Sequence, residues 1–268
     1  MSIHIGCSGW SYPEWSGSFY PKSARPSLRL YSNYFETVEI NSTFYNIPRR
    51  DIVDSWIKQL NSNADFRFSV KVPRQYTHPE NADNLKERLD SFNEFVETVL
   101  NPLRNAGRLK ATMFGLPPWI GKDNYNGELR LIGEISEPWM IPFVEARNRQ
   151  LLSGRDFFER CSSIGLGAVT VDSPDNIMNN ILPTNGTSYI RLHGRNRKGW
   201  NERGAGMEKY NYNYSEKELE DIGQLIKNHE EGDVTIYFNN HPFGNAPVNA
   251  LSLIRILGIK IKTGQSML

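Results

Sequence analysis

The chain reads as an α/β protein, a single (β/α)8 barrel whose working site lies at the C-terminal ends of the strands. Three observations predict this. Short β-rich runs alternate with longer helical patterns, eight such runs can be counted, and no Gly-x-Gly-x-x-Gly follows the first. Alternation of this kind implies parallel strands with crossover helices. The missing glycine pattern removes the usual open dinucleotide-binding sheet. A length of 268 residues suits one such barrel, which takes about 250.

The eight runs are residues 3–7, 37–43, 66–72, 110–116, 140–147, 168–172, 188–193 and 233–239. A helix over 51–60 is predicted by the stripe Ile52, Trp56 and Leu60. Leu85, Leu89, Phe92, Val96, Leu100 and Leu103 recur at spacings of three and four, predicting one amphipathic helix over 85–103. The helix after strand four is weak, because 121–137 is rich in Gly and Asn, and the one after strand six is short, at most 175–181. Either segment could equally be a loop. Ser215 and Glu218 form a capping box opening a helix that buries Leu219, Ile222 and Ile226. Pro247 and Gly258 bracket the last helix. The barrel domain is expected to span 1–258, with 259–268 a tail or terminal strand.

Composition supports a packed core, with 38% hydrophobic and 23% charged residues. A net charge of +1 argues against a protein that coats nucleic acid, though not against a local basic patch. Two cysteines, Cys7 and Cys161, suffice for neither a disulfide framework nor a zinc cluster. No apolar run approaches a membrane span and no signal-peptide core opens the chain, so a cytoplasmic location without membrane partners is expected.

Side chains along a barrel strand alternate between the interior and the helix layer. Polar pairs two residues apart near a strand's end therefore point the same way. Such pairs are Glu39 and Asn41, Ser69 and Lys71, Glu145 and Arg147, Thr170 and Asp172, Arg191 and His193, and Asn239 and His241. Unpaired charges are costly to bury, so the strand ends, where barrels hold their active sites, are the expected location. Glu39, Glu145 and Asp172 balance Lys71, Arg147 and Arg191 three against three, so a self-neutralising plug is the alternative.

The loop after strand seven, 193–204, holds Arg195, Arg197, Lys198 and Arg203 among three glycines, a composition and position suited to anion binding. The alternative is a solvated basic loop. Trp10, Tyr12, Trp15, Phe19 and Tyr20 follow strand one and either stack on a ligand or cap the barrel, with Trp10 and Tyr12 nearest the strand end. His78 follows strand three at the same end, whereas His4 and His229 read as structural or surface residues. Cys7 reads as a buried inert thiol. No cofactor is expected. A divalent metal on Glu39, Glu145, Asp172 and His193 is the lesser reading, because three cations interleave with those ligands.

Several ordered motifs carry a resemblance. They are Gly6-Cys7-Ser8-Gly9-Trp10-Ser11-Tyr12, Trp15-Ser16-Gly17-Ser18-Phe19-Tyr20-Pro21, Glu39-Ile40-Asn41-Ser42-Thr43-Phe44-Tyr45 and Phe68-Ser69-Val70-Lys71 with Thr77-His78. Leu116-Pro117-Pro118, Glu145-Ala146-Arg147, Tyr189-Ile190-Arg191-Leu192-His193-Gly194, Phe238-Asn239-Asn240 and Ala246-Pro247-Val248-Asn249-Ala250 continue it. Together they resemble the YecE-like family, domain of unknown function 72, over nearly the whole chain. The resemblance implies a TIM-like barrel and no established activity. Gly115 stands where members commonly carry a glutamine, Leu151 where a tryptophan often follows, and His241 where a smaller polar residue is usual.

The expected catalytic groups are Glu39, Lys71, Glu145, Asp172 and His193. Ligand contacts are expected from Trp10, Tyr12, Asn41, Tyr45, His78, Arg147, Arg191, Arg195, Asn239, Asn240 and His241. The chemistry favoured is acid–base hydrolysis or isomerisation of a polar phosphate-bearing small molecule, such as a sugar phosphate or nucleotide-derived compound. A nucleic-acid-binding or -processing barrel and a non-catalytic ligand-binding barrel are the alternatives.

Overall fold

The structure is a computed structural model describing residues 2–78, 84–152, 155–202 and 204–260. Eight strands follow in order: β1 (Ile3–Cys7), β2 (Thr37–Ile40), β3 (Arg67–Lys71), β4 (Leu109–Gly115), β5 (Pro142–Glu145), β6 (Gly167–Asp172), β7 (Thr187–Leu192) and β8 (Asp233–Phe238). They form one sheet in the order β1-β8-β7-β6-β5-β4-β3-β2, and with the intervening helices this is a TIM-like (β/α)8 fold. Contacts group the chain into two compact units, residues 1–38 with 170–268, and residues 39–169, the boundaries falling within β2 and β6.

In the first unit, β1 pairs with β8 from Ile3–Val234 to Cys7–Phe238, and β7 pairs with β8 from Thr187–Asp233 to Leu192–Phe238. A chain of buried hydroxyls ties these strands down. The Cys7 amide donates to the Tyr31 hydroxyl, which donates to the Thr37 carbonyl, while the Thr37 hydroxyl meets the Tyr237 hydroxyl at 2.6 Å. Gly6 allows this approach, because a Cβ there would lie 2.2 Å from the Thr37 carbonyl oxygen. The capping box at Ser215 starts the helix Glu216–Lys227, which buries Leu219, Ile222 and Ile226 against Asn245–Leu257. That last helix ends at Gly258, in the left-handed region at φ 69°.

In the second unit, β3, β4 and β5 pair in parallel, and Phe143 and Val144 pair with Gly167 and Ala168. Arg88, nearly buried, donates to the Tyr76 carbonyl and forms an ion pair with Glu128 at 2.7 Å. This fastens the helix Leu85–Phe95 to Tyr125–Ile135.

Several expectations are corrected. Strand five begins at Pro142, because Pro138–Met140 is a 3-10 turn and Ile141 takes φ 48°. Strand two stops at Ile40, and Asn41 turns into the helical region, so the alternation linking Glu39 to Asn41 breaks there. The helix over 85–103 is three pieces, Leu85–Phe95, a π-helical turn Val96–Leu100, and Asn101–Asn105. Extra backbone in such a turn shifts the apolar stripe. Over 50–59 the buried residue is Val53, while Ile52 is exposed. Residues 121–137 hold a true helix, Tyr125–Ile135, anchored by buried Leu129 and Ile132. Residues 175–181 form no helix, matching the loop alternative. Strands three, four, seven and eight end at Lys71, Gly115, Leu192 and Phe238, each one residue short of expectation, and strand five ends at Glu145, two short. Residues 261–268 of the expected tail, and Arg203 of the basic loop, lie outside the described residues.

Phe143 and Gly167 give a direct test of packing. A Cβ at residue 167 would lie 2.3 Å from the Phe143 ring. Gly167→Ala is expected to destabilise by about 1–3 kcal/mol, the usual cost of overpacking, measured as a lower urea midpoint.

Candidate functional site

The expected site residues fall into one cluster in each unit. In the first, Asp172 closes β6 with its carboxylate wholly buried. Arg195 donates to it from Nε at 2.9 Å to Oδ2 and from Nη2 at 2.9 Å to Oδ1. The Tyr214 hydroxyl and the Met178 amide donate to the same carboxylate at 2.7 and 2.9 Å. Arg195 continues to Glu218 at 3.0 Å, where the Tyr212 hydroxyl also donates. Burial and then the Asp172 charge push the Tyr214 phenol well above its ordinary range. Asp172 and Arg195, expected to serve catalysis and ligand binding, are thus each engaged by protein groups.

Arg191 is wholly buried on β7, and His193 follows the strand end. The His193 amide donates to the Asp172 carbonyl, and Asn239 Nδ2 lies 2.9 Å from His193 Nδ1. Trp200 and Tyr210 flank the His193 ring at 6.0 and 5.7 Å. Asn240 donates to the Tyr212 carbonyl and to Asn249. His241 stacks under Tyr12 at 4.6 Å with 9° between the planes, and burial lowers its pKa to about 4. Gly9, at φ 99°, lets Tyr12 fold back, since a Cβ there would sit 2.8 Å from the Tyr12 ring. Trp10 is half-buried nearby, its carbonyl accepting from the Tyr20 hydroxyl.

Of the basic loop's described cations only Arg195 is drawn into the protein; Arg197 and Lys198 are exposed. Arg197 donates to the Pro174 carbonyl and sits in a short helix, Arg197–Asn201.

In the second unit, Glu39 on β2, Lys71 at the end of β3 and Glu145 at the end of β5 are all buried. Asn41 opens the turn Ser42–Phe44, and Thr43 donates to the Lys71 carbonyl at 2.6 Å. The Lys71 ammonium lies 4.0 Å from the centre of the Phe44 ring, a cation–π contact. Arg147, just past β5, brings Nε to 2.5 Å from Glu145. A Cβ on Gly115 would lie 3.4 Å from Lys71 Cε, so any side chain there would pack on the lysine stem.

His78 joins this cluster, its Nδ1 2.9 Å from the Thr77 hydroxyl and its ring edge-on to Phe44 and Trp119. Burial first, then the charges of Lys71, Arg147 and Arg74, lower its pKa to about 4. Tyr45 and Trp119 are exposed by 61% and 63%. Trp119, Phe44 and Arg74, with Trp200 and Tyr210 in the first unit, escaped the sequence reading. Trp119 follows Leu116-Pro117-Pro118 and Trp200 sits in the basic loop, so both were signalled by position.

Among the described residues no group of three or more His, Cys, Asp and Glu is placed to hold a metal. Nor is any described helix long and apolar enough to cross a membrane. Cys7 and Cys161 are buried free thiols; burial pushes Cys161 up to about 12 and Cys7 higher still.

Eight parallel strands with helices between them define an α/β protein of TIM-like fold. The chain belongs to the family described as Protein of unknown function DUF72, matched over residues 4–267. It is 28% identical to the UPF0759 protein YunF of Bacillus subtilis, over 96% of this chain and 95% of that protein. It is 29% identical to the UPF0759 protein YecE of Escherichia coli, over 64% of this chain and 59% of that protein. A crystal structure of a DUF72 family protein from Thermotoga maritima superposes with TM-score 0.76 at 28% identity, covering 96% of this chain and all of that one (100%). Another, from Enterococcus faecalis, gives TM-score 0.81 at 23% identity over 99% of this chain and 100% of that one, a likeness of fold.

Removing the Asp172 charge leaves Arg195 without its main partner. Asp172→Asn is expected to lower stability by about 3 kcal/mol, the scale for breaking a buried pair, read from urea denaturation. His78 and His241 stay neutral to about pH 4 in the folded protein, whereas unfolded imidazoles protonate near about 6.5. The unfolded state therefore takes up more protons as pH falls below about 6.5, and stability declines toward about pH 4. Urea midpoints near pH ~7 and ~5 should show that decline, reduced in His241→Gln.

Proposed function

We propose that the protein is an enzyme using acid–base chemistry on a small, polar, phosphate-bearing molecule held by the cluster of residues 39–169. The observation that carries this reading is the convergence of Lys71, Arg74 and Arg147 around a neutral His78. The buried carboxylates of the unit's strand ends are two, Glu39 and Glu145, the second paired with Arg147, so the named groups carry one more positive charge than negative. A phosphate supplies negative charge, which the buried Lys71 binds more strongly than a solvated cation would.

The exposed rings of Tyr45 and Trp119 offer faces on which a sugar or a base can pack. Arg147 holds the buried Glu145 carboxylate in place. Glu39 or Glu145 then serves as base and Lys71 as acid or electrostatic stabiliser, for hydrolysis or for isomerisation by proton transfer.

Three variants test the reading. Inorganic phosphate titrated calorimetrically at low salt should bind wild type, and Lys71→Gln and Arg74→Gln should each weaken it about tenfold, or about 1.4 kcal/mol. Turnover in a screen of phosphate-bearing metabolites should vanish in folded Glu145→Gln. Absence of binding by phosphate, sulfate and every phosphate-bearing metabolite would overturn the proposal.

A further inference from the structure

We propose that the unit of residues 1–38 and 170–268 carries a subsite for an uncharged, hydroxyl-rich ring, a sugar, walled by Tyr12, Tyr210 and Trp200 over the consecutive residues Asn239, Asn240 and His241. The inference does not rest on phosphate binding.

Three observations carry it. First, the Oδ1 atoms of Asn239 and Asn240 accept no hydrogen bond from the described residues, although these side chains are only 2% and 0% exposed. His241 Nδ1, on a 7% exposed residue, has Glu14 no closer than 4.0 Å. Buried polar atoms are ordinarily satisfied, and two successive amide oxygens without donors, beside an imidazole nitrogen without a hydrogen-bond partner, call for an outside group rich in O–H. Second, the walls are aromatic. Tyr12 stacks on His241, Tyr210 lies 5.8 Å from His241, and Trp200 lies 6.2 Å from Tyr210. Ring faces suit the C–H surface of a pyranose or furanose while its hydroxyls seek acceptors.

Third, the charges of Asp172 and Arg195 nearby are already paired. Asp172 is held by Arg195, Tyr214 and the Met178 amide, and Arg195 also by Glu218. A ligand carrying strong charge gains little there, while a neutral donor-rich one gains acceptors.

The test is saturation-transfer NMR on the full chain with glucose, galactose, mannose, N-acetylglucosamine and ribose, and with choline as a cationic probe for an aromatic cage. At least one neutral sugar should show transfer, and choline none. For that sugar, Trp200→Leu should weaken binding about tenfold or more and Trp200→Phe less than about threefold, with circular dichroism confirming that both variants fold. The inference is overturned if no sugar binds at up to about 50 mM, which is weaker than about 2 kcal/mol of affinity. It is equally overturned if choline binds instead, or if Trp200→Leu binds sugar as wild type does.

Discussion

The Asp172 carboxylate is the interaction on which the first unit depends. It sits at the end of β6, fully out of water, and takes hydrogen bonds from Arg195, Tyr214 and the Met178 amide. Each donor belongs to a different stretch of irregular chain. One carboxylate therefore holds the loop after β6, the loop after β7 and the approach to the Glu216–Lys227 helix. A buried ion is costly unless paired and hydrogen-bonded, and here the geometry meets that demand with three donors. The rings of Trp200 and Tyr210 and the placement of His193 follow from loops so fixed.

The second unit meets the same demand differently. Glu145 is paired by Arg147, two residues along the chain, and Lys71 rests on the face of Phe44. The first is a local solution and the second spans 27 residues, and His78 stays neutral among the cations.

How much was legible in the sequence follows from this physics. Strands were legible because β-branched and aromatic runs buried on both faces leave a strong pattern, and all eight were located. Their ends were not, since Asn41 and Ile141 adopt conformations that tertiary contacts select rather than residue type. The Tyr125–Ile135 helix was obscured by Gly127 and Gly133, though Leu129 and Ile132 suffice to anchor it. Strand-end polar residues were legible because charge rarely lies in such runs without reason. Pairing was not: nothing in spacing shows that Arg195 reaches back to Asp172, 23 residues away. Exposed Trp119 was overlooked because a single aromatic beyond two prolines has no periodicity to mark it.

The two cysteines have a consequence for how this molecule can be watched. Cys7 belongs to the first unit and Cys161 to the second, one apiece. Both thiols are shut away from water and resist ionising, so a thiol-specific reagent reacts only when the surrounding structure opens. The chain thus carries a pair of native clocks, one in each half, whose labelling rates report whether the halves open in concert or separately, without any engineered probe.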